Sequence, residues 1–185
     1  DEIITIEGVV SGTLSFIFNE LGKGRIFSDI VKDAKELGYT EPDPREDLSG
    51  QDVARKLVCL SREIGYNVSL SDISVTNLVP EELRNCSIDE FMTRLPQFDD
   101  RIMGMANEAA AKGEKLTYAG KIHADGTVSV AIQSVAQSHP LARLNGTDNI
   151  IIFQTKRYDA TRPMIIQGPG AGAAGAGGDP EGVQQ

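Results

Sequence analysis

Apolar and polar positions follow two different rhythms along this chain. Ile3 to Val10 is β-branched and roughly alternating, which predicts a first strand. Leu14, Ile17, Phe18 and Leu21 then recur at helical spacing, so a helix follows, capped by Ser11 or Thr13 and ended by Gly22 and Gly24. A second helix is expected from Ser28 through Ile30, Val31, Ala34 and Leu37 to a stop at Gly38. Pro42 and Pro44 push Glu41 and Asp43 away from helical geometry, so this segment begins extended. Val53, Leu57, Leu60 and Ile64 mark a central helix, with Ser49 as its cap and Gly65 as its stop. Ser87 and Glu90 make a capping box for a short helix carrying Phe91, Met92 and Leu95, and Phe98 to Lys112 reads as another helix.

Beyond Gly113 the period changes from 3.6 to 2. Lys115 to His123 and Thr127 to Gln133 read as paired strands joined by the turn Ala124-Asp125-Gly126. Asn149 to Thr155, with the apolar run Ile150–Phe153, fits a central strand, and Pro163 to Gln167 is the last. Helices gathered early and strands gathered late predict an α+β fold, a mostly antiparallel sheet of about five strands with helices packed on one face. The Ile150–Phe153 run then needs cover on the other face, so a homodimer through the sheet is expected.

Charge and composition narrow the partners. The 185 residues carry a net charge of −9, which argues against nucleic acid and against an anionic membrane surface. No apolar run approaches the length of a spanning helix. Cys59 and Cys86 suggest no disulfide framework; Cys59 reads as a buried thiol on the central helix, and a reducing, cytoplasmic setting is expected. His123 and His139 are isolated, so no metal site is visible, and no nucleophile elbow is present.

The candidate chemistry lies between Thr40 and Lys56. Glu41, Asp43, Glu46, Asp47 and Asp52 place five carboxylates in twelve positions. Asp52 and Lys56, at i and i+4, project from one helix face. Such a pair is also common on helix surfaces, and an acidic loop can simply complement a helix dipole. The acids lack the alternating spacing and central glycine of a calcium loop. Lys56, expected to be buried on the apolar helix, is the one residue of this motif that can both donate a proton and hold positive charge. Glu41 and Asp47 suit a substrate ammonium group.

Gly38-Tyr39-Thr40-Glu41-Pro42-Asp43-Pro44, with Asp47-Leu48-Ser49-Gly50-Gln51-Asp52-Val53-Ala54-Arg55-Lys56, closely resembles the catalytic region of homoserine dehydrogenases. Gly8 to Asn19 resembles the segment that opens that domain, and Ile166 to Ala174 its closing glycine-rich turn. The resemblance implies an oxidoreductase that interconverts L-aspartate 4-semialdehyde and L-homoserine with NAD(P), on the route to threonine and methionine. It implies Lys56 as the proton-transferring lysine, Asp52 and Asp47 as substrate-site acids, and Glu41 as the ligand of the substrate amine. Thr40 and Tyr39 sit beside Glu41, and Gly12 and Thr13 fall where the family opens its substrate pocket. Gly170 and Gly172 would lie beside the nicotinamide. Glu46 stands where some members have aspartate.

The family carries a Rossmann domain before this region. The glycine-rich end of this chain has a strand before it but no helix or second parallel unit after it, so by itself it is a weak nucleotide signal. The expectation is a substrate-binding and dimerisation domain at 1–167 and a Gly/Ala-rich tail at 168–185, truncated or engineered. The isolated chain is then expected to be inactive and to bind no cofactor tightly. On the residues alone a non-catalytic amino-acid-binding or dimerisation module is the alternative, although a regulatory module has no need of the Asp52–Lys56 helix behind Glu41 and Asp47.

Overall fold

The computed structural model describes residues 2–170. In chain order the elements are β1 (Ile3–Val9), α1 (Gly12–Leu21), α2 (Phe27–Glu36), α3 (Pro44–Leu48), α4 (Gln51–Glu63) and β2 (Ser74–Val75). Then come α5 (Ile88–Arg94), α6 (Asp99–Ala111), β3 (Glu114–Ile122), β4 (Val128–Ala136), β5 (Asp148–Thr155) and β6 (Met164–Pro169). The strands form one sheet in the order β2-β4-β3-β1-β5-β6. Every pairing is antiparallel except β2 with β4. The α+β reading therefore holds, with six strands rather than about five. The extra one is a two-residue edge strand, too short to carry a period.

Alternation along the strands sorts the two faces. Ile6, Leu116, Tyr118, Ile122 and Val130 point into the main core, where they meet Leu14, Phe18, Ile30, Leu57 and Phe91 from the helices. Gly120 makes room for this layer, since a Cβ there would stand 2.3 Å from Leu57 Cδ1. Val9, Ala119, Ile150 and Ile152 point the other way, into a smaller core closed by Leu141 and Leu144. These two leucines lie in and just after the 3₁₀ turn Pro140–Arg143. Part of the cover expected from a second chain is thus supplied within this one, and the large apolar side chains left exposed on the sheet are Met164, Ile165 and Ile166 of β6.

Two local readings are corrected. The segment begins extended at Asp43 as expected, but a short helix precedes the central one and moves its cap: Asp43 caps the five-residue α3, with Pro44 at its first position. Ser49 ends α3, and Gly50, at φ +71°, occupies the cap position of α4. The Ser49 hydroxyl still accepts the Gln51 N–H at 3.3 Å. Cys59 is exposed rather than buried, because it follows Val58 on the rim of the α4 face and not its centre.

Candidate active site

The site is built around the junction of β1 and α1. Ser11 caps α1 by accepting the Leu14 N–H at 3.2 Å, which leaves Gly12 and the buried Thr13 in the first helical turn. The Thr13 hydroxyl donates to the Tyr39 carbonyl, and the Tyr39 ring packs edge-on against Phe16 of α1 at 5.1 Å. These contacts fix the end of the α2–α3 connection against α1.

From Tyr39 the chain brings its acids inward. The Thr40 hydroxyl donates to the Glu41 carbonyl at 2.8 Å, and the Glu41 N–H donates to Asp47 Oδ2 at 2.8 Å. Burial pushes the Asp47 carboxyl above the usual aspartate range, and the Glu41 charge adds to this. The hydrogen bond from the Glu41 N–H opposes the rise. Thr13, Tyr39, Thr40, Glu41 and Asp47 are therefore one connected group, with the Glu41 side chain exposed at its surface.

α4 supplies the second group. Its start is set by Gly50, where a Cβ would fall 2.0 Å from the Tyr118 hydroxyl. That hydroxyl donates to the Thr76 carbonyl at 2.7 Å. One turn on, Lys56 Nζ lies 2.7 Å from Asp52 Oδ2 and donates to the Val10 carbonyl at 2.9 Å. The Lys56 side chain is 48% exposed, not buried as its apolar neighbours suggested, so its ammonium is open to an incoming molecule.

Lys56 stands at a cleft of about 560 Å³ walled by Val10, Leu60, Ile151 and Ile166. Asn149 also lines it, and the Asn149 Oδ1 atom is buried without a donor among the described residues. Gly170 closes one end of β6, its N–H donating to the Thr147 carbonyl at 2.9 Å. A Cβ at Gly170 would stand 2.3 Å from the Asn149 amide, so a larger residue here would require the Asn149 side chain to move. Gly172 lies outside the described residues.

The two groups meet at residues 10–13. Lys56 is tied to Val10 and the acid group to Thr13, a separation of at most about 10 Å along the extended chain. Glu41 and Asp47 do not line the Lys56 cleft itself. Asn149 and Ile166 were not singled out in the sequence, since nothing local ties either to α4. A larger hollow of about 750 Å³ lies on the opposite sheet face around Glu7 and His139, and none of the Thr40–Lys56 residues reaches it. Among the described residues no group of three or more His, Cys, Asp or Glu side chains is placed to hold a metal.

An ammonium steadied by a carboxylate thus stands beside an apolar cleft and next to a loop of acids in an α+β domain. The chain belongs to the homoserine dehydrogenase family, whose sequence model matches residues 1–178. It is 53% identical over 175 residues to a chloroplastic bifunctional aspartokinase/homoserine dehydrogenase 2 of Zea mays, covering 94% of this chain and 19% of that protein. It is 50% identical to the homoserine dehydrogenase of Schizosaccharomyces pombe, covering 94% of this chain and 48% of that one. A solved Candida auris protein of unknown function superposes with a TM-score of 0.87 at 41% identity, over 93% of this chain and 49% of its own. The chain thus spans about half the length, or less, of these relatives.

Proposed function

We propose that this chain is the substrate-binding and catalytic half of an NAD(P)-dependent homoserine dehydrogenase, interconverting L-aspartate 4-semialdehyde and L-homoserine on the route to threonine and methionine. The observation that carries the reading is Lys56, half-exposed at an apolar cleft with Asp52 and the Val10 carbonyl holding its ammonium. Reduction of an aldehyde builds negative charge on oxygen, and Lys56 supplies the proton that relieves it. In the reverse direction Lys56 takes the proton from the homoserine hydroxyl. Asp52 orients the ammonium. Glu41 and Asp47 receive the substrate amine, with Gly12, Thr13, Tyr39 and Thr40 shaping the approach.

The nicotinamide cofactor supplies the hydride when bound. The cleft fits its planar end: the walls are apolar, Gly168 and Pro169 form one edge, and Gly170 lets the backbone close on Asn149. Gly170 is assigned to that side. On this reading the nucleotide's phosphates lie on the other half of the enzyme, so the chain alone should neither hold NAD(P) tightly nor turn over. A homodimer through the outer face of the sheet and a reducing, cytoplasmic setting complete the proposal. The exposed Ile165 supports the first, and the free thiols of Cys59 and Cys86 the second.

The test joins this chain to a nucleotide-binding half, as in the fungal relative, and follows NAD(P)H absorbance with L-homoserine. Steady homoserine-dependent reduction of NAD(P) is expected from the joined protein and none from the chain by itself. Homoserine binding without any turnover in the joined protein would favour a non-catalytic amino-acid-binding module.

A further inference from the structure

We propose that Arg45 is a positioning residue for substrate binding: it clamps α3, and with it Asp47 and Glu41, onto the segment 83–91. This rests on the substrate roles proposed above for Asp47 and Glu41. The Arg45 side chain is only 16% exposed, although it carries a charge. Its Nε lies 2.9 and 3.1 Å from the two Asp43 carboxylate oxygens, and Nη2 lies 2.7 Å from Asp43 Oδ2. Nη1 donates to the carbonyls of Leu83 at 3.0 Å, Arg84 at 3.3 Å and Cys86 at 2.7 Å. The guanidinium also stands over the Phe91 ring, 5.5 Å from its centroid.

The geometry explains why a planar fork is needed. One edge of the guanidinium holds the residue that caps α3, since Asp43 also accepts the Arg45 N–H at 3.0 Å. The other edge reaches backbone nearly forty residues away. A lysine has one nitrogen and cannot serve both edges. α3 has little else to hold it: five residues cannot nucleate a helix alone, and only Pro44 and Leu48 are buried. The anchor itself is rigid, because Leu83 and Phe91 are fully buried.

Asp47 sits two residues beyond Arg45 in α3 and fixes Glu41 through its N–H. Arg45 does not line the Lys56 cleft. Loosening it should therefore disturb capture of the amine while leaving proton transfer intact.

The experiment compares Arg45→Lys and Arg45→Ala with the parent in the protein that carries both halves. Arg45→Lys is expected to raise KM for homoserine about tenfold or more, the worth of one lost charge-assisted contact, with kcat within about threefold. KM for NAD(P) should not move. Added guanidinium should restore KM in Arg45→Ala but not in Arg45→Lys, and if Arg45→Ala does not fold, the lysine variant carries the kinetic test. Amide exchange across residues 44–50 should quicken in Arg45→Lys while the later turns of α4 stay protected. An unchanged KM, a kcat that falls in step with KM, or unchanged exchange at 44–50 would overturn the proposal. If the parent itself shows no homoserine-dependent turnover, the functional reading has failed instead, and exchange at 44–50 still decides whether Arg45 holds the loop.

Discussion

Lys56 and Asp47 are two charged side chains placed in opposite ways by the same fold. Lys56 reaches solvent and is held only at its tip, so its removal should cost chemistry rather than stability. Lys56→Ala is expected to cut turnover about 10²–10⁴-fold, the usual worth of a positioned proton donor, while the helix keeps its propensity. Circular dichroism and stopped-flow kinetics on one preparation check both halves of that statement. A variant that turns over near the parent rate would reduce the Asp52–Lys56 pair to an ordinary helix salt bridge. Asp52→Asn should lower turnover less, because Asp52 acts through the lysine. Glu41→Ala should raise KM for homoserine with a smaller effect on kcat, since the lost partner is the substrate amine.

Asp47 is half-buried, and burial raises its pKa above the ordinary aspartate value. A carboxyl whose folded pKa is raised costs stability at every pH above its unfolded pKa, and the cost is relieved as falling pH protonates it. Asp47→Asn, which keeps an oxygen for the Glu41 N–H, should therefore raise the melting temperature at neutral pH. That gain should shrink as pH falls through the raised folded value towards the ordinary one. Over the same window the parent should lose affinity for homoserine, because the protonated acid no longer attracts an ammonium. A melting temperature for Asp47→Asn at or below the parent's at pH 7 would argue against a penalised carboxylate.

At the scale of elements, α4 carries the proton donor, and its start is fixed from outside the helix. Gly50 combines a left-handed backbone with a hydroxyl 2.0 Å from where a Cβ would stand. Gly50→Ala should destabilise by about 2–5 kcal/mol, adding left-handed strain to overpacking, or roughly 2–4 °C per kcal/mol in melting temperature. Tyr118→Phe alone loses the bond to the Thr76 carbonyl, about 1 kcal/mol. In the Gly50→Ala background it also removes the clashing oxygen, so the double variant should be more stable than the two losses summed. Simple additivity would place the strain elsewhere.

The same pair shows where sequence reasoning reached its limit. The period of Val53 and Leu57 is local, and α4 was legible from it; the cap was misplaced at Ser49 because Tyr118 is far away in sequence. α3 offers only two buried positions, too few to register as a period. Pro140–Arg143 was not recognised as a covering layer because Leu141 and Leu144 meet Ile150 only once the sheet has formed. The acids and the lysine were legible as a set, but not that Val10 and Thr13 divide them into two groups.

At the scale of the whole molecule, the alternation of β6 separates assembly from catalysis. Ile165 pairs in register with Ile152, which pairs with Glu7 and through it with Lys121, so all four share the outer face. Ile166 pairs with Ile151 on the inner face and borders the Lys56 cleft. Leu141 and Leu144 already cover Ile150 and Ile152, leaving Ile165 at the rim of the polar hollow around Glu7, Lys121 and His139. A two-fold contact across that face would pack this apolar rim against its own copy and satisfy the charged floor between them, whereas a monomer leaves both wet. Ile165→Glu should therefore shift sedimentation at micromolar concentration from dimer to monomer. Ile166→Glu, one residue on, should leave the dimer intact and impair turnover, because it places a carboxylate in the apolar cleft beside Lys56. If Ile165→Glu sediments as the parent does, or if the parent is already a clean monomer, the outer face is not the contact.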